Sequence, residues 1–161
     1  QLIVKQNLEA AGIEVETKLI DSLVMFGAGV DYPDSAFRFN ADMMDFEISM
    51  YSPDPTDYMQ YWTCRRIPQK VNNWDFGYLN FERYCSAEYD ALAKQALLEL
   101  DPEKRRLLFI EMNDMLIEDV VMIPLVYKAD AVGLSVTLEG INLTPWDYYT
   151  WNIADWRRIT P

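Results

Sequence analysis

Two carboxylates, Asp54 and Asp57, stand one helical turn apart just after Ser52-Pro53. At that spacing two acids share a helix face, so they could form the general acid and base of a hydrolase. A structural use of the same residues competes with that chemistry. Asp54 can cap a short helix that has Pro55 at its first position, and Asp57 then falls in the electropositive first turn. A calcium site lacks its pattern here, because the EF-hand loop needs a Gly and a Glu at fixed offsets and neither is present.

A second group of residues suits binding better than catalysis. Asn72-Asn73-Trp74 and Asn80-Phe81 mix amides with aromatic rings in a turn-rich stretch. Amides hydrogen-bond a polar ligand and rings stack on it, as in many solute clefts. The same composition also fits a loop packed under its own aromatics. Cys64 and Cys85 bracket this stretch and are too far apart for a CxxC redox pair. They are either two buried thiols or, if the protein is exported, a disulfide. The chain has no histidine, which excludes His-based triads and zinc sites of the Cys₂His₂ and His₃ types within it. Two cysteines alone cannot complete a structural zinc site.

Charge narrows the partners. The formal net charge is −12, and such a chain is repelled by phosphate backbones. The Arg65-Arg66 and Arg157-Arg158 pairs are too few to make a basic stripe. No run approaches the roughly 20 apolar residues that a membrane-spanning helix needs. At 161 residues the chain has the length of one domain with a real core. It opens at Gln1 inside a helical pattern, with Leu2, Ile3, Leu8 and Ala11 apolar, which reads as a piece of a longer protein.

The elements that position these groups follow from periodicity and punctuation. Residues 1–11 read as a helix stopped by Gly12. Ile13, Val15, Thr17 and Leu19 alternate with charged residues as a strand does. Residues 22–42 read as a helical turn near Ser22–Phe26 and then a long loop. Phe46, Ile48 and Met50 give a second strand, ended by Ser52-Pro53-Asp54-Pro55. A short helix should carry Thr56 to Trp62, and residues 65–83 form a loop. Ser86 is placed to cap a helix over Ala87–Leu100. Asp101-Pro102-Glu103 restarts another that runs to about Asp119. Its methionines fall at helical spacing and read as core filler. Val120–Tyr127, broken by Pro124, and Ala131–Leu138 are further strand candidates. The aromatic tail after Gly140 has little periodicity. Mixed helices and strands point to an α/β or α+β domain.

This order of parts resembles the C-terminal lobe of family 5 extracellular solute-binding proteins of ABC transporters, the group of dipeptide-, oligopeptide- and nickel-binding proteins. The marks are QNLEAAGIEVETKLID at 6–21, MYSPDPTDY at 50–58, WTC at 62–64, NFERYCSAEYDAL at 80–92, DPEKRRLLFIEMNDMLIEDVVMIPLVY at 101–127 and WNIADW at 151–156. The resemblance implies an α/β, periplasmic binding protein-like lobe (type II, cluster C) with a mixed sheet flanked by helices. Residues 1–140 would be the second ligand-binding lobe, truncated at its start. Residues 141–161 would be a tail returning toward a missing first lobe. The function implied is capture of a peptide-like or other small polar solute between two lobes and delivery to a membrane permease. That role is extracytoplasmic, periplasmic or lipid-anchored, with no enzymatic step, cofactor, metal or nucleic acid. A carbohydrate-binding member of the same family is the nearest alternative, and a hydrolase using Asp54 and Asp57 is the alternative of another class.

Ligand contacts carry over in part. The cleft-facing candidates are Met50, Tyr51, Ser52 and Asp54, with Trp74 and Asn80 beside them. In dipeptide-binding members an Asp three residues before the Asp-Pro anchors the α-amine of the ligand, and Tyr51 stands at that position here. A phenol cannot give an ammonium the charge-assisted hydrogen bond of a carboxylate. Tyr51 fits a sugar or an uncharged group better. An exported parent also makes Cys64–Cys85 a disulfide that pins the loop to the helix after Ser86.

Overall fold

A computed structural model of the chain describes residues 1–48, 52–127, 129, 131–144 and 148–159. Among these, five α-helices are α1 (Leu2–Ala10), α2 (Ser22–Met25), α3 (Thr56–Met59), α4 (Ala87–Leu98) and α5 (Pro102–Glu118). One antiparallel pair joins β1 (Leu138–Glu139) to β2 (Arg157–Arg158).

Helices α4 and α5 form because their starts are chemically marked. The Ser86 hydroxyl accepts the Tyr89 amide at 3.2 Å, and Glu88 and Asp90 lie in the first turn. Asp101 accepts the amides of Glu103 and Lys104 at 2.9 and 3.1 Å, with Pro102 at the first helical position. Each cap of this kind contributes about 1 kcal/mol. Tyr89, Leu92, Ala93 and Ala96 bury one face of α4, and Phe109, Met112 and Leu116 bury the matching face of α5. Met59 and Trp62 close this core from the α3 side. The fully buried Tyr89 donates its hydroxyl to the Met59 carbonyl at 2.7 Å, which satisfies the one polar atom it carries inward. Burial pushes the Tyr89 phenol well above its ordinary range, so it stays a donor.

A second, smaller core gathers Ala36, Phe37 and Phe81, with Phe46, Leu79 and Trp74 packed around them. Phe37 meets Phe81 edge-to-face at 4.9 Å and Phe76 at 5.5 Å, the offset arrangement that ring quadrupoles favour. The long loop of residues 22–42 thus packs over its neighbour.

Cys64 and Cys85 are joined by a disulfide, with their Cα atoms 4.5 Å apart. It ties the end of the α3 region to the residue before the Ser86 cap. Closing a loop of this length stabilises by about 3 kcal/mol in the chain-entropy picture.

Several elements differ from the sequence expectation. The helix after Pro55 stops at Met59 rather than Trp62. Beyond it the Gln60 side chain turns inward to the Ala93 carbonyl at 3.3 Å, and the Thr63 hydroxyl donates to the Gln60 carbonyl at 2.8 Å. These buried bonds replace a further helical turn. Helix α4 stops at Leu98, because Glu99 is already extended ahead of the Asp101 cap. The segments Ile13–Leu19, Phe46–Ile48, Met122–Tyr127 and Ala131–Leu134 lie outside any strand ladder among the described residues. Alternation prepares a segment for a sheet, but a strand exists only where a neighbour completes the hydrogen bonds. Among the described residues the sheet is the antiparallel β1–β2 pair alone, with Leu138 opposite Arg158 and Glu139 opposite Arg157.

That pair is set by Gly140 and Asn152. Gly140 has φ +85°, and a Cβ there would lie 2.2 Å from the Asp155 carbonyl oxygen, so only glycine fits. Asn152, nearly buried, donates to the Gly140 carbonyl at 2.7 Å and accepts the Trp156 indole at 2.9 Å. In the described part of the tail the Trp151 indole also donates to the Asn142 carbonyl at 2.7 Å, so side-chain hydrogen bonds hold a segment that lacks an apolar stripe.

Candidate functional site

The Ser52–Thr56 turn is the best-fixed polar feature of the described surface. The Asp54 carboxylate accepts the Thr56 amide at 2.8 Å and the Thr56 hydroxyl at 2.5 Å. The Ser52 hydroxyl accepts the Asp54 amide at 3.1 Å. Arg105 of α5 then grips Asp54 with two parallel bonds of 2.9 and 3.0 Å, and its guanidinium also reaches the Thr56 hydroxyl. The Arg105 Nε donates to the Ala96 carbonyl at 3.1 Å, and the guanidinium sits 4.9 Å over the Phe109 ring. Paired forks of this kind are among the strongest polar contacts in proteins and fix orientation as well as distance. Arg105 first, and Thr56 second, hold the Asp54 carboxyl well below the usual carboxylate range. Asp54 is therefore permanently ionised near neutral pH and is engaged on both oxygens.

Between this turn and α5 lies an open cleft of about 630 Å³. Tyr58 and Met59 line one side and Phe109, Ile110 and Asn113 the other, with Asp54 and Arg105 at one end. Arg105, Phe109 and Asn113 recur at every fourth position of α5, so one helix face supplies that wall. A second cleft of about 260 Å³ lies between Gln60, Arg65, Asp90 and Lys94. There the Arg65 guanidinium donates to the Gln60 side chain at 2.9 Å, and the Asp90 carboxylate accepts the Cys64 amide at 3.0 Å.

The structure separates the sequence candidates. Asp54 and Ser52 share the turn, yet only Asp54 lines the larger cleft. Asp57 lies exposed in the first turn of α3, where the helix end favours a negative charge. Trp74 belongs to the smaller core, half-buried, with the Arg38 guanidinium 3.8 Å above its ring. Asn80 has 0% exposure, and its amide is fully engaged with backbone. It donates to the carbonyls of Thr63 and Tyr84 at 3.1 and 2.7 Å and accepts the Tyr84 amide at 3.0 Å. Those bonds brace the loop beside the disulfide and leave no group for a solute. Met50 and Tyr51 lie outside the described residues.

Arginines complete the loop. Arg66 donates to the Gly77 carbonyl at 2.6 Å, and Arg83 to those of Pro68 and Arg38 at 2.9 and 3.1 Å. These contacts stitch residues 66–83 to residues 37–38. Sequence reasoning missed Arg105 as the partner of Asp54. The two are far apart in the chain, and no local signal links them. Among the described residues no three His, Cys, Asp or Glu side chains come together to hold a metal ion, and no helix is long and apolar enough to cross a membrane.

Compared with protein-family models, with curated proteins and with solved structures, the chain matches none.

Proposed function

We propose that the chain is one lobe of an extracytoplasmic solute-binding protein, which captures a small polar solute and passes it to an ABC permease. The observation that carries this reading is the double-forked Asp54–Arg105 pair. It anchors to α5 the turn that directly follows Met50 and Tyr51. A binding edge needs such rigid backing, because each freely rotating contact group weakens affinity by the entropy of fixing it. The Cys64–Cys85 disulfide supports the same reading, since such bonds persist in oxidising compartments.

The same geometry favours binding over hydrolysis by Asp54 and Asp57. A general acid must hold a proton near neutral pH and a general base needs a free oxygen of moderate basicity; Asp54 is held ionised far below the usual range, with both oxygens taken by Arg105 and Thr56. Transport rests on the ordered sequence marks, since a fold alone does not fix function. For the solute, Tyr51 favours a sugar or an uncharged group over a free peptide amine.

Titration calorimetry of the full-length, two-lobed protein with panels of dipeptides and of mono- and disaccharides tests the proposal. Heat of binding is expected from the saccharide panel, lost on Tyr51→Ala. Tight binding of dipeptides that disappears when their α-amine is acetylated would reverse the ligand assignment. Turnover of any panel member that Asp54→Asn abolishes would replace binding by catalysis.

A further inference from the structure

Two cations, Arg65 and Lys94, line the smaller cleft of about 260 Å³, and among the described residues no acid forms an ion pair with either. In this chain acids outnumber Lys and Arg by 26 to 14. Lys5, Lys18, Arg105, Arg106 and Arg157 are each paired with one of those acids. Arg38, Arg66 and Arg83 spend their donors on backbone carbonyls. Arg65 does neither. Its bond goes to the Gln60 side-chain carbonyl at 2.9 Å.

Gln60 gives the cleft a built wall. It is only 5% exposed, and its amide donates to the Ala93 carbonyl of α4 at 3.3 Å. The Thr63 hydroxyl donates to the Gln60 backbone carbonyl at 2.8 Å. Gln60 is thus fixed at both ends and holds one nitrogen of the Arg65 guanidinium. A guanidinium carries five N–H donors, so the others remain for an acceptor. Lys94 reaches the same cleft from α4. Asp90, one helical turn before Lys94, is the acid of the lining, and it accepts the Cys64 amide at 3.0 Å.

We infer that this cleft binds a small monocarboxylate with a short apolar tail. Arg65, steadied by Gln60, takes the carboxylate, whose two oxygens match a pair of guanidinium N–H groups. Lys94 adds a second positive charge. Ala93 and the half-exposed Leu97 supply the apolar wall that the tail covers. Two cations against Asp90 leave one net positive charge, which one carboxylate neutralises and a doubly charged phosphate overshoots. Size sets the length. Sites for drug-sized ligands measure roughly 300–1,000 Å³, so this cleft takes an acid of a few carbons. It shares no residue with the Met50–Asp54 edge, so it stands whether or not the solute-binding reading holds.

Saturation-transfer NMR of butyrate with the full-length protein is the test. Butyrate should bind saturably, butyramide of the same shape without the charge should not, and inorganic phosphate should fail to displace butyrate. Arg65→Gln and Lys94→Gln should each raise the butyrate Kd by about tenfold, and Arg65→Lys should recover only part of the loss, because it keeps the charge without the fork. Leu97→Asp should abolish binding by placing a second acid at the tail. All three positions are exposed, so thermal unfolding should match the parent; were Arg65→Gln to unfold early, Lys94→Gln alone decides. No saturable butyrate signal, equal binding of butyramide, displacement by phosphate, or a Kd unchanged in Lys94→Gln would overturn the assignment.

Discussion

The α3–α5 unit and the extended segments around it are built from similar apolar residues and end in opposite states. Met112 and Leu116 are buried against α4, while Leu125 and Val126, of similar hydrophobicity, face solvent. The difference lies in where the partner comes from. A helix satisfies its own backbone and needs only one packed face, which α4 supplies to α5 from next door in the chain. A strand leaves half its hydrogen bonds to a neighbour, and for Met122–Tyr127 no neighbour stands among the described residues. Apolar content is thus not the measure of what is stable here. Closure of the backbone is.

The widest gap between the two regions should appear in paired truncations. Met112→Ala removes a fully buried side chain and is expected to cost about 3 kcal/mol in a denaturant melt, whereas Val126→Ala should stay within about 0.5 kcal/mol. Equal losses at the two sites would erase the distinction. The disulfide marks the border between the regions. Replacing Cys64 and Cys85 by Ser should lower stability by about 3 kcal/mol, and hydrogen exchange should show the loss first in residues 66–83. A uniform rise in exchange across α4 and α5 would mean that the bond supports the helices rather than the loop.

Asn80 sharpens the comparison inside that loop. Its side chain does for Thr63 and Tyr84 what a strand neighbour would do for a backbone. Asn80→Ala leaves those buried groups unmet and should cost about 2 kcal/mol, with Asn80→Asp failing to restore it because a carboxylate cannot donate. Full recovery by Asp would rule out the donor role.

The smallest effect concerns pH. The Asp54 value is depressed in the folded protein, so its contribution is present above the ordinary carboxylate range and is lost as pH falls toward the depressed value. Because the carboxylate is about half exposed to solvent, that contribution is discounted to about 1 kcal/mol or less. Asp54→Asn should therefore destabilise near neutral pH and become neutral in strong acid. Glu82 runs the other way. Burial raises its carboxyl, so its share of stability is complete below the ordinary carboxylate range and is lost as pH rises through the raised value. Glu82→Gln should flatten that limb in melts followed by circular dichroism. A variant that melts with the parent's pH dependence would assign the limb to another group.

Much of the frame was legible before any coordinates. Ser86 and Asp101-Pro102 marked the starts of α4 and α5 because caps are local chemistry. The α5 methionines at helical spacing marked a core face, since helical periodicity needs only neighbouring residues, and Met112 is buried there. The caps, the helix faces and the acidic surface were therefore set by the chain on its own. Pairings between distant residues were not. Cys64–Cys85 is the exception, expected for an exported protein and formed here. The grip of Arg105 on Asp54 and the burial of Asn80 as a brace rather than a ligand contact were decided by the tertiary structure. Such contacts link positions that no local spacing relates, and only the packed arrangement of α3, α4 and α5 brings them within bonding distance.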